Sequence, residues 1–304
     1  MTPHLSPVAA VLATLLAFVT LTPPAPAQSV MTFQNRTNGR TLSVHATGTV
    51  EASADARRVE RLGRGGSLAI ETAAGGTTRR VEMTPDPDGG VRQVYSVDGR
   101  VRPLDPEGHA WMERAVEAAV LDGGIDAPHR AARLLRTDGL PSALAWAERY
   151  RSDGARAAHV RSLLTHTASR PADAARVLDR GVRGVRSDGD RRRLLLHAFP
   201  QVGLDARAVR EAYFRSASAI RSDGDLRDVL LAPLAAGSPT REVALGVLGT
   251  VQDIRSDGDR VRVLLAVPDA LLSDRDVARA YRAAALATRS DRDRVRALAR
   301  QGLR

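Results

Sequence analysis

The chain of 304 residues contains no cysteine and no lysine, and only 3% of it is aromatic. Without cysteine there is no disulfide framework, no thiolate nucleophile and no cysteine-ligated metal centre, so stability must come from packing. The few aromatics do not interleave with arginine into a stacking platform, which speaks against the single-strand mode of nucleic-acid binding. H-E-x-x-H, G-x-S-x-G, the Walker loop and the dinucleotide fingerprint are all missing. His159 and His166 stand seven apart, but no cysteine or flanking glutamate completes a ligand set around them. The recurring S-D-G-D contains the D-x-D of a calcium loop, yet it turns apolar and basic where a twelve-residue loop needs its closing glutamate. No catalytic residue, cofactor or metal site is expected, and the chain reads as a non-enzyme.

Long apolar runs are equally scarce. The single one is LSPVAAVLATLLAFVTL at residues 5–21, followed by TPPAPA with small residues at Ala25 and Ala27. This is the layout of a secretory signal over residues 1–27, cleaved after Ala27. No arginine or lysine precedes the run, and it is barely long enough to span a bilayer if it is retained as an anchor. The expectation is an exported chain, periplasmic or extracellular, that is soluble after cleavage. A net charge of +10, carried by 45 basic residues that are all arginine, is compatible with an acidic partner. The charges alternate in sign along the chain, however, and arginine without lysine is what GC-rich coding produces by itself.

Two periods divide the remainder. Over residues 28–104 the pattern is β: TLSVHATGTVEA, SLAIET and RRVEMT alternate apolar with polar, and PDPDGG and VDGR flank VRQVYSV with turn chemistry. A small antiparallel sheet with one buried face is expected. Over residues 105–304 the pattern is helical, beginning with Trp111, Ala115, Val116 and Ala119 on one face. An arginine recurs at 151, 186, 221, 255 and 289, at intervals of 35, 35, 34 and 34. Such a period predicts an α-hairpin solenoid of about five repeats, and the fold class is α+β.

Each arginine opens an R-S-D motif. The serine three residues ahead of an acid is a capping box at Ser187/Asp190, Ser222/Asp225, Ser256/Asp259 and Ser290/Asp293, while Ser152 keeps the cap alone. Buried stripes are expected at Leu194-Leu195, Val229-Leu230, Val263-Leu264 and Val295 with Leu298. Helix ends are expected at Pro200, Pro233 and Pro268, and second helices start at Ser238-Pro239 and at a Ser273/Asp276 box. Stacking would align Arg186, Arg221, Arg255 and Arg289 beside Asp188, Asp223, Asp257 and Asp291, a ladder that serves architecture first and partner binding second. Trp146 and Tyr150, four apart, are expected to pack between the first repeats.

The segments RGGSLAIE, Tyr95 to Gly99 and EGHAW, together with the S-D-x-D repeats, resemble the extracytoplasmic regions of β-lactam-sensor-type membrane metallopeptidases and their stand-alone secreted relatives. The resemblance covers about residues 40–304. It implies a sensory or interaction module. It transfers no catalytic residue, because the peptidase motif and its membrane helices are missing; a further departure is glycine (154, 189, 224, 258) at the box position that is often aromatic in that group, which costs helix propensity. The leading expectation is a noncatalytic exported scaffold that binds a protein of the cell envelope. The alternatives are an accessory subunit of a membrane signalling peptidase and an arginine-rich binder of acidic polymer, polysaccharide before nucleic acid.

Overall fold

Alternation in the first third becomes an antiparallel sheet because each strand can bury one face under a helix. A computed structural model describes residues 30–37, 39–237 and 239–300; the expected signal segment and Ser238 lie outside them. Strands β1 (Val30–Thr37), β2 (Arg40–Thr47), β5 (Ser67–Ala74), β6 (Thr77–Pro85), β7 (Val91–Val97) and β8 (Arg100–Val101) form the six-stranded sheet, in that spatial order. The stretch expected as one strand across residues 41–52 breaks at Gly48, whose φ of +70° favours glycine. Its second half, β3 (Val50–Ala52), pairs instead with β4 (Val59–Leu62) as a separate hairpin. The Asp98-Gly99 turn holds both residues at positive φ, as the V-D-G-R reading requires.

One face of the sheet is apolar: Val44, Ile70, Val81 and Tyr95 line up across β2, β5, β6 and β7. That face is covered by α1 (Pro106–Ala118), which contributes Trp111, Met112, Ala115 and Val116, and by the β3–β4 hairpin. Asp105 starts α1 by accepting the Gly108 amide, with Pro106 at the first helical position. A π-helical turn over Ala119–Gly123 follows and stops at Gly124, in the left-handed region.

The chain is helical from there on: α2 (Ala127–Thr137), α3 (Gly139–Ala147), α4 (Asp153–Thr167), α5 (Pro171–Arg176), α6 (Asp188–Val202), α7 (Arg207–Ala217), α8 (Asp223–Ala235), α9 (Arg241–Thr250), α10 (Asp257–Ala266), α11 (Arg275–Leu286) and α12 (Asp291–Ala299). The protein is thus α+β, a six-stranded antiparallel sheet followed by twelve helices among the described residues. No described helix is long and apolar enough to cross a membrane. Helices two apart pack side by side, α4 with α6, α6 with α8, α8 with α10 and α10 with α12, and α5, α7, α9 and α11 do the same in a second row. Leu178, Tyr213, Val247 and Tyr281, eight residues ahead of successive arginines, are wholly buried, as are Leu194, Leu195, Val229, Leu230, Val263 and Leu264. Burying each such side chain contributes about 1.5–3 kcal/mol. Val185, Ile220 and Ile254 close the tight corners in the same way.

Four local expectations are corrected. Pro200 and Pro233 lie inside the last turns of α6 and α8 and do not end them; a proline there removes one hydrogen bond where the ladder is about to stop. The second helices take other caps: Thr240 accepts the Val243 amide at α9, and Asp274, not Ser273, accepts the Asp276 and Val277 amides at α11. Ser273 donates to the Ala270 carbonyl in the preceding turn. Val295 is 65% exposed, because the buried position of α12 is taken by Ala297, which follows Ser290 by seven residues as Leu194, Val229 and Val263 follow their serines.

Candidate functional site

All five serines start helices from an extended backbone. Ser152 Oγ accepts the Ala155 amide at 3.1 Å, and Ser187, Ser222, Ser256 and Ser290 accept those of Asp190, Asp225, Asp259 and Asp293 at 3.3–3.4 Å. The reciprocal half of the box is not made. An aspartate is one methylene too short to reach back, and the serine amides are already taken. Ser187 donates to Asp153 at 2.9 Å, Ser222 to Asp188 at 3.0 Å, Ser256 to Asp223 at 2.9 Å and Ser290 to Asp257 at 2.8 Å. The same carboxylates accept the amides of Arg186, Arg221, Arg255 and Arg289 at 3.1–3.2 Å. Asp153, Asp188, Asp223 and Asp257 therefore each bind two backbone amides of the next turn, 32 to 34 residues on. The Ser290 amide holds the Asp257 carboxyl below its ordinary value, against partial desolvation and with help from Arg289.

With their acids relieved of capping, Asp190, Asp225 and Asp259 pair sideways instead. Asp190 meets Arg193 at 2.5 Å, Asp259 meets Arg227 at 2.6 Å, and Asp225 faces Arg192 at 3.8 Å. A second arginine, four residues after the cap, completes the joint and is absent from the expectations above. Arg191 donates to the Val185 carbonyl of its own corner and to Ala219 of the next, both at 2.5 Å. Arg260 repeats this toward Ile254 and Ala287, at 2.6 and 2.5 Å. Arg156 makes the equivalent bonds to Tyr150 and Gly184. Arg294, in the last motif, retains the bond to its own corner through Thr288. The signal was present as an arginine at 156, 191, 260 and 294; the motif starting at Ser222 has Leu226 there, which is buried.

The arginine ahead of each serine keeps an exposed side chain even where it faces the aspartate beneath, Arg186 at 3.9 Å from Asp153 and Arg255 at 3.5 Å from Asp223. The side chains of Arg186 and Arg255 are 79% and 74% exposed. Arg255 and Arg289 lie back along the edge to the carbonyls of Arg221 and Arg255, at 2.7 and 2.9 Å. Four guanidinium groups thus occupy one edge, on backbone fixed by the aspartates beneath them. The motif glycines leave this edge open: a Cβ on Gly154 or Gly258 would meet nothing within 4 Å.

The geometry ranks the motif residues. Asp223→Ala strands the amides of Arg255 and Ser256 and is expected to lower stability by about 1–3 kcal/mol. Ser222→Ala removes one cap, about 1 kcal/mol. Asp225→Ala loses a half-exposed ion pair, about 0–1 kcal/mol. Urea unfolding of the three variants checks the order, and an Asp225 variant as unstable as the Asp223 variant refutes it.

Trp146 stacks between the guanidinium groups of Arg130 and Arg149, 4.2 and 3.8 Å from the ring centre, and Tyr150 is buried against His159. Among the described residues no cluster of His, Asp and Glu has the arrangement of a metal site. Comparison with protein-family models, curated proteins and solved structures gives no match.

Proposed function

We propose that the chain is a noncatalytic exported interaction protein, in which a sheet platform carries an α-hairpin solenoid of about five 34–35-residue repeats. Its partner is a protein of the cell envelope that presents acidic side chains. The observation that carries this reading is the edge formed by Arg186, Arg221, Arg255 and Arg289. Guanidinium groups are planar five-donor forks suited to carboxylates, and here their backbone is anchored before any partner arrives, so only the side chains are left to order in the binding step. Side-by-side helix rows supply the extended surface that such repeats use in recognition. The resemblance to regions of membrane signalling peptidases favours an accessory or sensory role beside such an enzyme.

The exposure of the same arginines favours one further reading, an acidic polysaccharide in place of a protein. Cross-linking capture from an envelope fraction, using the chain from residue 28 and a variant with all four arginines changed to glutamate, separates the possibilities. A discrete protein captured by the parent and lost by the variant is the expected result. Capture of polymer alone, falling steeply with salt, selects the second reading. Equal capture by parent and variant overturns both.

A further inference from the structure

The face of the sheet that buries Val44, Ile70 and Val81 does not stay apolar to its end. Two residues further along, on the same side of the pleat, the register places Asn35, Leu42, Thr72 and Arg79 in one row across β1, β2, β5 and β6. Arg40 has the same parity on β2, one row further out. Helix α1 still lies over this region, so the polar end of the face is roofed without being filled. The space between is a cleft of about 950 Å³, with Arg40, Thr72, Arg79, Trp111, Arg114 and Asp122 in its walls.

Its polar groups point to one class of ligand. The Trp111 indole donates to Thr72 Oγ1 at 2.8 Å, which occupies the acceptor side of that hydroxyl and leaves its proton for a guest. Arg79 is held by Glu107 at 2.5 Å. The side chains of Arg40 and Arg114, both in the cleft wall, have no hydrogen bond or ion pair with any described residue. The acid in the wall, Asp122, is already engaged by Arg151 at 3.5 Å, and burial pushes its carboxyl up from its ordinary value. Two guanidinium groups without a side-chain partner and a free hydroxyl proton thus line a half-open cleft whose size suits a small organic molecule.

We infer that this cleft is a binding site for a small organic anion carrying carboxylate or phosphate groups, held by Arg40 and Arg114 and oriented by the Thr72 hydroxyl. Guanidinium forks pair with either group in two-pronged geometry. The inference stands apart from the turn-edge reading, since the two surfaces share no residue.

Calorimetric titration of the full chain tests it, with succinate, citrate, glycerol 3-phosphate and inorganic phosphate as probes and glycerol as the neutral control. At least one anion is expected to bind saturably, and Arg40→Gln and Arg114→Gln each to weaken it about tenfold or more. Both side chains are exposed, so the variants keep the fold. Thr72→Val weakens it less, and Arg282→Gln, at an exposed arginine of α11 outside both surfaces, leaves it unchanged. Preference among the probes distinguishes carboxylate from phosphate ligands, and either outcome supports the site. Binding of no anion below about 1 mM, equal binding of glycerol, or undiminished affinity in both arginine variants overturns it.

Discussion

Arg130→Met lowers the unfolding free energy by about 3–5 kcal/mol, the largest loss expected from any single substitution in the helical region. Arg130 is 2% exposed, unusually deep for an arginine. Its Nε and Nη2 hold Asp126 Oδ2 at 2.7 and 2.6 Å, and Nη2 also reaches the carbonyls of Ala52 and Ser53 at 3.1 and 2.8 Å. Those carbonyls belong to β3 and the loop after it, so one side chain ties the small hairpin to α2. The Trp146 ring covers the guanidinium from one side. Removing Arg130 leaves the Asp126 carboxylate buried without its counter-charge, and Asp126 Oδ1 has no hydrogen-bond partner to fall back on. Burial already pushes that carboxyl up against the pull of Arg130. The double variant Arg130→Met with Asp126→Leu removes the stranded charge and is expected to recover most of the loss. Urea midpoints for the two variants decide it; a single variant within about 1 kcal/mol of the parent refutes the assignment.

Why such a group escapes a reading of the sequence is a matter of range. Helix starts are local chemistry, since a serine needs only the amide three residues on. Ser187, Ser222, Ser256 and Ser290 can therefore be identified from spacing alone. The same holds for Leu178, Tyr213, Val247 and Tyr281, whose burial follows from the period. The partner of Asp188 is another matter. Within one unit it looks like an acid placed for the helix dipole, and only stacking shows that it binds amides 33 and 34 residues away. Asp126–Arg130 has the i, i+4 spacing of an ordinary surface pair. Nothing local says that β3 and Trp146 close over it. The α1 cleft is harder still: T-A-A and T-T-R-R read as strand ends, and their polar face acquires meaning only when a helix is known to roof it. Val295 errs in the opposite direction, because its bulk draws the eye from Ala297, the residue that the period itself places in the buried stripe.

Stability is expected to fall by about 3 kcal/mol between pH 6.5 and pH 4, through His159. This residue of α4 is fully buried; its Nε2 donates to the Ala143 carbonyl at 2.9 Å, and its Nδ1 stands 3.3 Å from the Tyr150 hydroxyl, placed to accept from it. Burial pushes its pKa down to about 4, and the positive charge of nearby Arg130 acts in the same direction. The unfolded chain protonates the same imidazole at about 6.5. Above that pH neither state carries the proton and His159 contributes no pH dependence. Below it the unfolded state gains a proton that the folded state refuses, so stability drops until the folded ring also titrates near pH 4. The window is distinct from that of the carboxylates. Asp257 and Asp274 are held below their ordinary values mainly by backbone amides, of Ser290 and Val277 respectively, so the stability they contribute is present at neutral pH and is lost at the acidic end, as pH falls through their depressed values. His197, lowered by partial burial, adds a smaller effect of the same sign as His159. Urea midpoints measured from pH 7.5 to 4 should therefore decline steeply in the parent chain. In His159→Gln the decline over pH 6.5 to 4 should flatten, whatever the absolute stability of the variant at neutral pH. A variant that declines as steeply as the parent would place the proton uptake elsewhere and leave the buried imidazole without a titrating role.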